Sequence, residues 1–368
     1  YITSQGYTYN KSLIKNIYLS LKTKPFLILS GISGTGKSKI IELFAKALGA
    51  TAENRRFNLI PVKPDWSDST DLLGYRNIEG QFIPGIITKI CKEAMEHKNL
   101  PYFIVLDEMN LARVEYYFSD ILSLMETRRV NEEGEIITNN LLNKDMLESI
   151  DNDAFIQYGN VYIPENLYII GTVNMDETTF PFSRKVLDRA NTIEFNKVDL
   201  SYDFDSLFND TEEPRALDND FLKSRFLKIK DCSEHKETAL ETINELIKIN
   251  NILEKYNFHF AYRVRDEIVF YMIYAREEEL LFFDEALDNC IVQKILPKIN
   301  GSSNECYEVL LDLFQHLNKI DIKNRENLDD KELNELEEKA EASPTPLASE
   351  KLLLMIRRFI KDGFTTFW

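Results

Sequence analysis

Apolar residues come in two kinds of run along this chain of 368 residues. The first kind is short and continuous: "PFLILSG" (25–31), "RFNLIPV" (56–62), "YFIVLDE" (102–108) and "LYIIGTVN" (167–174). Strands take that form when helices cover both faces of a parallel sheet. The second kind recurs every three or four residues, the spacing of a helix with one buried face. It predicts a lead-in helix over 11–24, helices from about Ser38 to Leu48 and around 85–97, and another in "YYFSDILSLMETR" (116–128). Strand and helix therefore alternate up to about residue 200, which indicates an α/β unit with a parallel sheet. Residues 128–165 are polar and irregular, with "NEEGE" as a turn, and read as an inserted hairpin or loop.

Beyond residue 200 the strand-like runs stop. "KETALETINELIKINNILEKY", "DEIVFYMIYAREEELLF" and "ASEKLLLMIRRFIKDG" are all helical in pattern. The expected organisation is an α/β domain over 1–200 and a smaller α-helical domain over 201–368. The charge-dense run at 323–346 ends in two prolines and reads as a solvated helix plus linker.

Composition adds limits rather than identity. Hydrophobic residues make up 44% and charged residues 29%, the balance of an ordinary soluble globular protein. The apolar run "IVFYMIYA" (268–275) is far too short to span a bilayer, and no signal peptide is visible at the start. Cys91, Cys232, Cys290 and Cys306 form no CxxC pair and the histidines have no ligand spacing, which favours a reducing cytoplasm and argues against structural zinc. Residues 1–100 carry 14 Lys/Arg against 8 Asp/Glu, a net of +6; the remainder carries 30 against 53, a net of −23. An acidic body of this kind repels nucleic acid in general, so any grip on DNA is expected elsewhere or in a local loop.

The chemistry concentrates in three places. "GISGTGKS" (31–38) fits GxxxxGK[ST] and sits between an apolar strand and an amphipathic helix, the context a phosphate-binding loop requires. Gly31, Gly34 and Gly36 let the backbone curl around an anion, with Ser33 and Thr35 in the same loop; Lys37 would reach the β- and γ-phosphates and Ser38 would hold Mg²⁺. At the end of the strand "YFIVLDE", Asp107 would hold the same Mg²⁺ through a water, and Glu108 could orient the attacking water. "GTVNMDETTFPFSRKVLDRA" (171–190) then places Asn174 beside the γ-phosphate as a sensor of its state. A helix starting at Pro181 would carry Arg189 roughly 12 Å along its axis, away from its own chain's phosphate. Such an arginine is useful to a nucleotide held by a neighbouring subunit, with Arg184 as the second candidate.

Together these residues resemble the AAA+ family. "GISGTGKS", "VLDEMNLARVEYYFSDILSLME" and the 171–190 stretch are similar to the McrB-like GTPase branch of 5-methylcytosine-specific restriction systems. That branch lies near the MoxR and dynein-related proteins, which "PDWSDSTDLLGYRN" and "FIPGII" (within 64–87) also resemble. "FHFAYRVRDEIVFYMIYARE" is similar to the McrB-like lid. The resemblance implies a five-stranded parallel sheet flanked by helices, a helical lid, and a homo-oligomeric ring, usually a hexamer, with nucleotide between subunits. It implies Arg189 as an arginine finger and Arg263 or Arg265 as the lid's sensor for the γ-phosphate, with Arg263 favoured. It further implies GTP with Mg²⁺, an McrC-like nuclease partner, and a separate N-terminal domain, outside this chain, that reads modified DNA. The branch's MNTAD signature appears here as "VNMDE" (173–177), so Asn174 matches while Asp176 and Glu177 inherit no role.

Guanine preference rests on that resemblance alone, because the nearest Asn-Lys-x-Asp candidate, Asn143-Lys144-Asp145-Met146, has its acid one place early. The leading expectation is the GTP-hydrolysing motor of an McrBC-like system. An ATP-driven remodelling machine of the MoxR or dynein-related kind is the alternative, and a nucleotide-gated scaffold a third. No acid-pair-plus-lysine cluster of the restriction-enzyme type is found, so cutting is expected of a partner.

Overall fold

The structure is a computed structural model and describes residues 1–175, 179–196, 213–325 and 328–368. Two compact units emerge: one comprises Tyr1–Ile14 with Lys24–Leu227, the other Lys15–Thr23 with Lys228–Trp368. The expected boundary at 200/201 lies outside the described residues, as do Asp176 and Glu177.

Helix α1 spans Lys11–Thr23, after which β1 (Phe26–Gly31), α2 (Lys37–Ala47) and β2 (Phe57–Pro61) begin the α/β unit. A short helix α3 (Thr70–Leu73) leads into an antiparallel hairpin of β3 (Gly74–Arg76) and β4 (Phe82–Pro84), with Ile78 fully exposed at its tip. Then come α4 (Ile86–Glu96), β5 (Tyr102–Asp107), α5 (Val114–Tyr117) and α6 (Ser119–Met125). The segment read as a hairpin or loop contains a hairpin, β6 (Arg129–Val130) with β7 (Ile136–Ile137), followed by helices α7 (Lys144–Ile150) and α8 (Asn152–Tyr158). Strand β8 (Leu167–Asn174) and, after one-turn helix α9 (Arg184–Leu187), β9 (Asn191–Phe195) complete the unit's main sheet.

The main sheet has five strands in the order β2-β5-β8-β1-β9, and every pairing is parallel. All residues of β1 and β8 are buried, as strands covered on both faces must be. Phe26, Ile28, Ile104, Leu106, Ile169 and Val173 face one layer, where Ile87, Ile90, Phe118 and Ile121 cover them. On the opposite layer Phe44 of α2 meets Phe103 edge-on at 6.3 Å, and Phe103 stacks on Tyr168 at 5.4 Å.

Two elements depart from the sequence reading. The helix expected from Pro181 starts only at Arg184, after Ser183 in extended backbone, and lasts four residues. The fifth strand, "NTIEF", has too much polar content to stand out, yet Asn191 and Thr192 are buried against β1.

The second unit is helical: α10 (Lys236–Glu254), α11 (Tyr262–Glu277), α12 (Phe283–Cys290), α13 (Asn304–Asn318), α14 (Asp330–Glu341) and α15 (Pro346–Asp362). Residues 15–23 of α1 belong to it. Asn16 accepts from the Tyr271 hydroxyl at 2.8 Å and donates to Asn289 at 3.2 Å, while Ser20 donates to Gln293 at 3.0 Å. Polar residues of α1 thus take part in a buried hydrogen-bond network. All four cysteines are free and buried. Burial pushes Cys306 up to about 11 and, with the Asp231 and Asp266 charges added, Cys232 up to about 12, so neither is a thiolate at neutral pH.

Asp288 of α12 is 2% exposed and accepts from the backbone N–H groups of Leu347 (2.8 Å) and Ala348 (2.7 Å), the open first turn of α15. One carboxylate thus caps a helix far from it in sequence. Asp288→Ala is expected to lower the unfolding free energy by about 2 kcal/mol, with urea denaturation as the measure.

Candidate nucleotide-binding and hydrolysis site

Parallel strands end at the same edge of a sheet, and here that edge carries the polar residues. Strand β1 ends at Gly31, which has φ +152° and lies so close to β9 that a Cβ would meet the Phe195 carbonyl oxygen at 2.6 Å. The loop turns through Ile32, Ser33 and Gly34, all exposed, to Thr35, whose hydroxyl donates to the Ile32 carbonyl at 2.9 Å. Gly36 precedes α2 at φ +82°, and a Cβ there would meet the Tyr9 hydroxyl at 2.5 Å. That hydroxyl donates to the Gly36 carbonyl at 3.1 Å; burial, then the neighbouring Tyr7 phenol, push Tyr9 up, keeping it a protonated donor. The loop therefore presents backbone N–H groups and the N-terminus of an eleven-residue helix with no acid in its first turn. Lys37, buried, donates to the Gly31 and Ile32 carbonyls at 2.9 and 2.7 Å.

Beside it, β5 delivers Asp107. Its Oδ1 accepts two hydroxyls, Ser38 Oγ at 2.7 Å and Thr172 Oγ1 at 2.7 Å. Glu108 follows in left-handed backbone (φ +54°), an uncommon state for a non-glycine residue. Its amide donates to Thr172 Oγ1 at 3.1 Å, and its carboxylate accepts from Asn174 Nδ2 at 3.1 Å. The parallel register sets Asn174 level with Gly31, so the sensor candidate adjoins both the loop and the acidic pair. Lys37, Ser38, Asp107, Glu108 and Asn174 are thus brought together. Thr172 joins them and was not foreseen, although the period-two rule places it on the same strand face as Asn174.

Ser38 and Asp107 offer hard oxygen ligands, a donor set that suits Mg²⁺. Among the described residues no cluster of three or more acidic, His or Cys side chains could hold a metal by itself. That fits an ion completed by phosphate oxygens and water, the usual arrangement for Mg²⁺.

Arg189 lies elsewhere in the same unit. Arg189 precedes β9, whose Asn191 pairs with Leu27, four residues before Gly31; this puts its backbone about 13 Å of strand away from the loop. Its Nη1 donates to the Lys185 carbonyl at 2.8 Å, and its Nε lies 3.4 Å from Glu126 Oε1, close enough for charge attraction though not aligned for a hydrogen bond. Arg184 is exposed on α9. Arg263 is exposed in the first turn of α11, in the helical unit, where Arg265 pairs with Asp266 at 2.6 Å.

A five-stranded parallel sheet in this order, a P-loop after β1 and an acidic pair after β5 define the α/β unit as an AAA domain, a nucleoside-triphosphatase fold. Residues 26–190 match the AAA domain of the dynein-related subfamily, and residues 210–364 match a domain of unknown function. The chain is 27% identical over 217 residues to the McrB subunit of a type IV methyl-directed restriction enzyme of Escherichia coli, covering 57% of this chain and 44% of that protein. It therefore spans less than half the length of that relative. An ATPase candidate from Cytophaga hutchinsonii is 14% identical with a TM-score of 0.44, covering 80% of this chain and 84% of that one. NtrX from Brucella abortus is 13% identical with a TM-score of 0.27, over 51% of this chain and 36% of that one. Among the described residues no helix is long and apolar enough to cross a membrane.

If Glu108 orients the attacking water, Glu108→Gln keeps the shape and removes the base. Steady-state turnover is expected to drop by about 100-fold or more while a fluorescent nucleotide still binds.

Proposed function

We propose that this chain is the GTP-hydrolysing motor of an McrBC-like, modification-dependent restriction system, working as a hexameric ring. The observation that carries this reading is the match to the McrB subunit over 217 residues. In it, Lys37 and the loop amides hold the triphosphate, Ser38 and Asp107 hold Mg²⁺, Glu108 orients water, and Asn174 reports the state of the γ-phosphate. Arg189 acts on the nucleotide of the adjacent subunit, with Arg184 as second candidate. Its position at the opposite end of β9 from the chain's own loop favours that assignment. Arg263 serves the same chain's γ-phosphate from the lid. DNA is reached through a separate N-terminal domain or through an McrC-like nuclease partner. The surface charge is compatible, since an acidic body leaves the DNA grip to other parts.

A second reading has its own support in the match to the dynein-related AAA subfamily: an ATP-driven machine that remodels proteins. Turnover of GTP and ATP, measured side by side at low concentration, separates the two. Strong preference for ATP would sink the restriction-motor reading.

The trans arrangement makes a sharper demand. Arg189→Ala subunits and Lys37→Ala subunits are each expected to lose hydrolysis, and mixing them should recover several-fold more than either alone. Full assembly by mass measurement with no recovery on mixing would remove Arg189 from that role.

A further inference from the structure

Between Asp107 and Asn110 the chain leaves a strand, passes through the left-handed Glu108 and enters a single turn of 3₁₀ helix at Met109–Leu111. That turn sets where the Glu108 carboxylate points, so whatever pins it sets the hydrolytic geometry. Each part of it is held by a named contact. The Tyr117 hydroxyl donates to the Met109 carbonyl at 2.8 Å, and Asn110 Nδ2 donates to Thr179 Oγ1 at 2.6 Å. The Met109 side chain lies against Gly171, where a Cβ would meet its sulfur at 2.3 Å. The contact next to the acids is Thr172.

We propose that Thr172 is a positioning residue for hydrolysis, its single hydroxyl fixing both the magnesium-side acid Asp107 and the backbone of Glu108. A hydroxyl that accepts the Glu108 N–H at 3.1 Å has its own proton turned to another partner, and Asp107 Oδ1 at 2.7 Å is that partner. Ser38 donates to the same oxygen at 2.7 Å. Both protein donors therefore converge on Oδ1; among the described residues no donor meets Oδ2, which would leave Oδ2 to a metal-bound water. The Glu108 amide, in turn, lies just past the strand end at Asp107 and takes a side-chain acceptor, Thr172. Thr172 is 2% exposed, so no solvent water replaces the hydroxyl. Its methyl group accounts for a threonine at a buried strand position, and its hydroxyl couples metal site to water-orienting acid. Thr172 acts through its two neighbours, Asp107 and Glu108.

This inference rests on the reading of the chain as a triphosphatase, and the test separates them. Thr172→Val keeps the shape and deletes the hydroxyl; Thr172→Ser keeps the hydroxyl. With the nucleotide that the wild-type ring hydrolyses, Thr172→Val is expected to lose about 10- to 100-fold in kcat with KM little changed. The Mg²⁺ concentration for half-maximal turnover should rise, and Thr172→Ser should restore both to within about threefold. A folded Thr172→Val with wild-type kcat and Mg²⁺ requirement overturns the proposal, as does an equal loss in Thr172→Ser; should the valine variant not fold, Thr172→Ala takes its place with the same expectations. If the wild-type ring hydrolyses neither GTP nor ATP, the triphosphatase reading falls. Fluorescent GTP and ATP analogues titrated with Mg²⁺ then decide the positioning role: a higher requirement in Thr172→Val supports it, and an identical one refutes it.

Discussion

Parallel register is the constraint from which the site follows. Strands β1, β5 and β8 run side by side in one direction, so Gly31, Asp107 and Asn174 reach the same edge of the sheet together. Side chains alternate faces along a strand, and a slip of one residue in β8 would send Thr172 and Asn174 into the layer that Val173 occupies. The dense packing of Ile28, Ile104, Ile169 and Val173 against one helical layer is what forbids that slip. Core packing and site geometry are therefore one requirement. The polar cluster is placed by apolar contacts more than by its own hydrogen bonds, which are individually worth only about 1 kcal/mol.

The parts of the fold written in strong local patterns could be read from the sequence. The four apolar strands and the P-loop follow from runs whose periodicity and flanking residues agree. Strand β9 could not be read this way, because Asn191, Thr192 and Glu194 give it the composition of a turn; pairing with β1 buries it anyway. Pro181 suggested a helix start, but the segment stays non-helical to Ser183, and just before it Phe180 N–H donates to the Asn110 carbonyl at 3.0 Å and tethers the chain to the turn after Glu108. Tertiary hydrogen bonding overrode local preference in both places. Helix α1 was legible as a helix, but the buried bonds of Asn16 to Tyr271 and of Ser20 to Gln293 have no local signature.

Within the site, the residue types were legible and their couplings were not. Lys37, Ser38, Asp107, Glu108 and Asn174 announce themselves through motif spacing. Thr172 has no motif, and only three-dimensional contact distinguishes it from any other β-branched strand residue. The same holds for Glu126, which sits at the C-terminal cap of α6 and meets Arg189 by ion pairing across the fold. Sequence spacing locates chemistry along one element, whereas couplings cross between elements.

These couplings also bear on what nucleotide binding must do. In the chain alone the site's polar groups satisfy one another: Lys37 on the loop carbonyls, Ser38 and Thr172 on Asp107, Asn174 on Glu108. A buried lysine and two adjoining acids would otherwise be costly to leave without partners. A triphosphate with Mg²⁺ offers stronger, charge-assisted partners to Lys37 and Ser38, so binding exchanges bonds rather than adding them. In the proposed reading, an Asn174 drawn toward a γ-phosphate would give up its bond to Glu108. The carboxylate would then depend on its backbone alone for direction, and that backbone is what Thr172 holds.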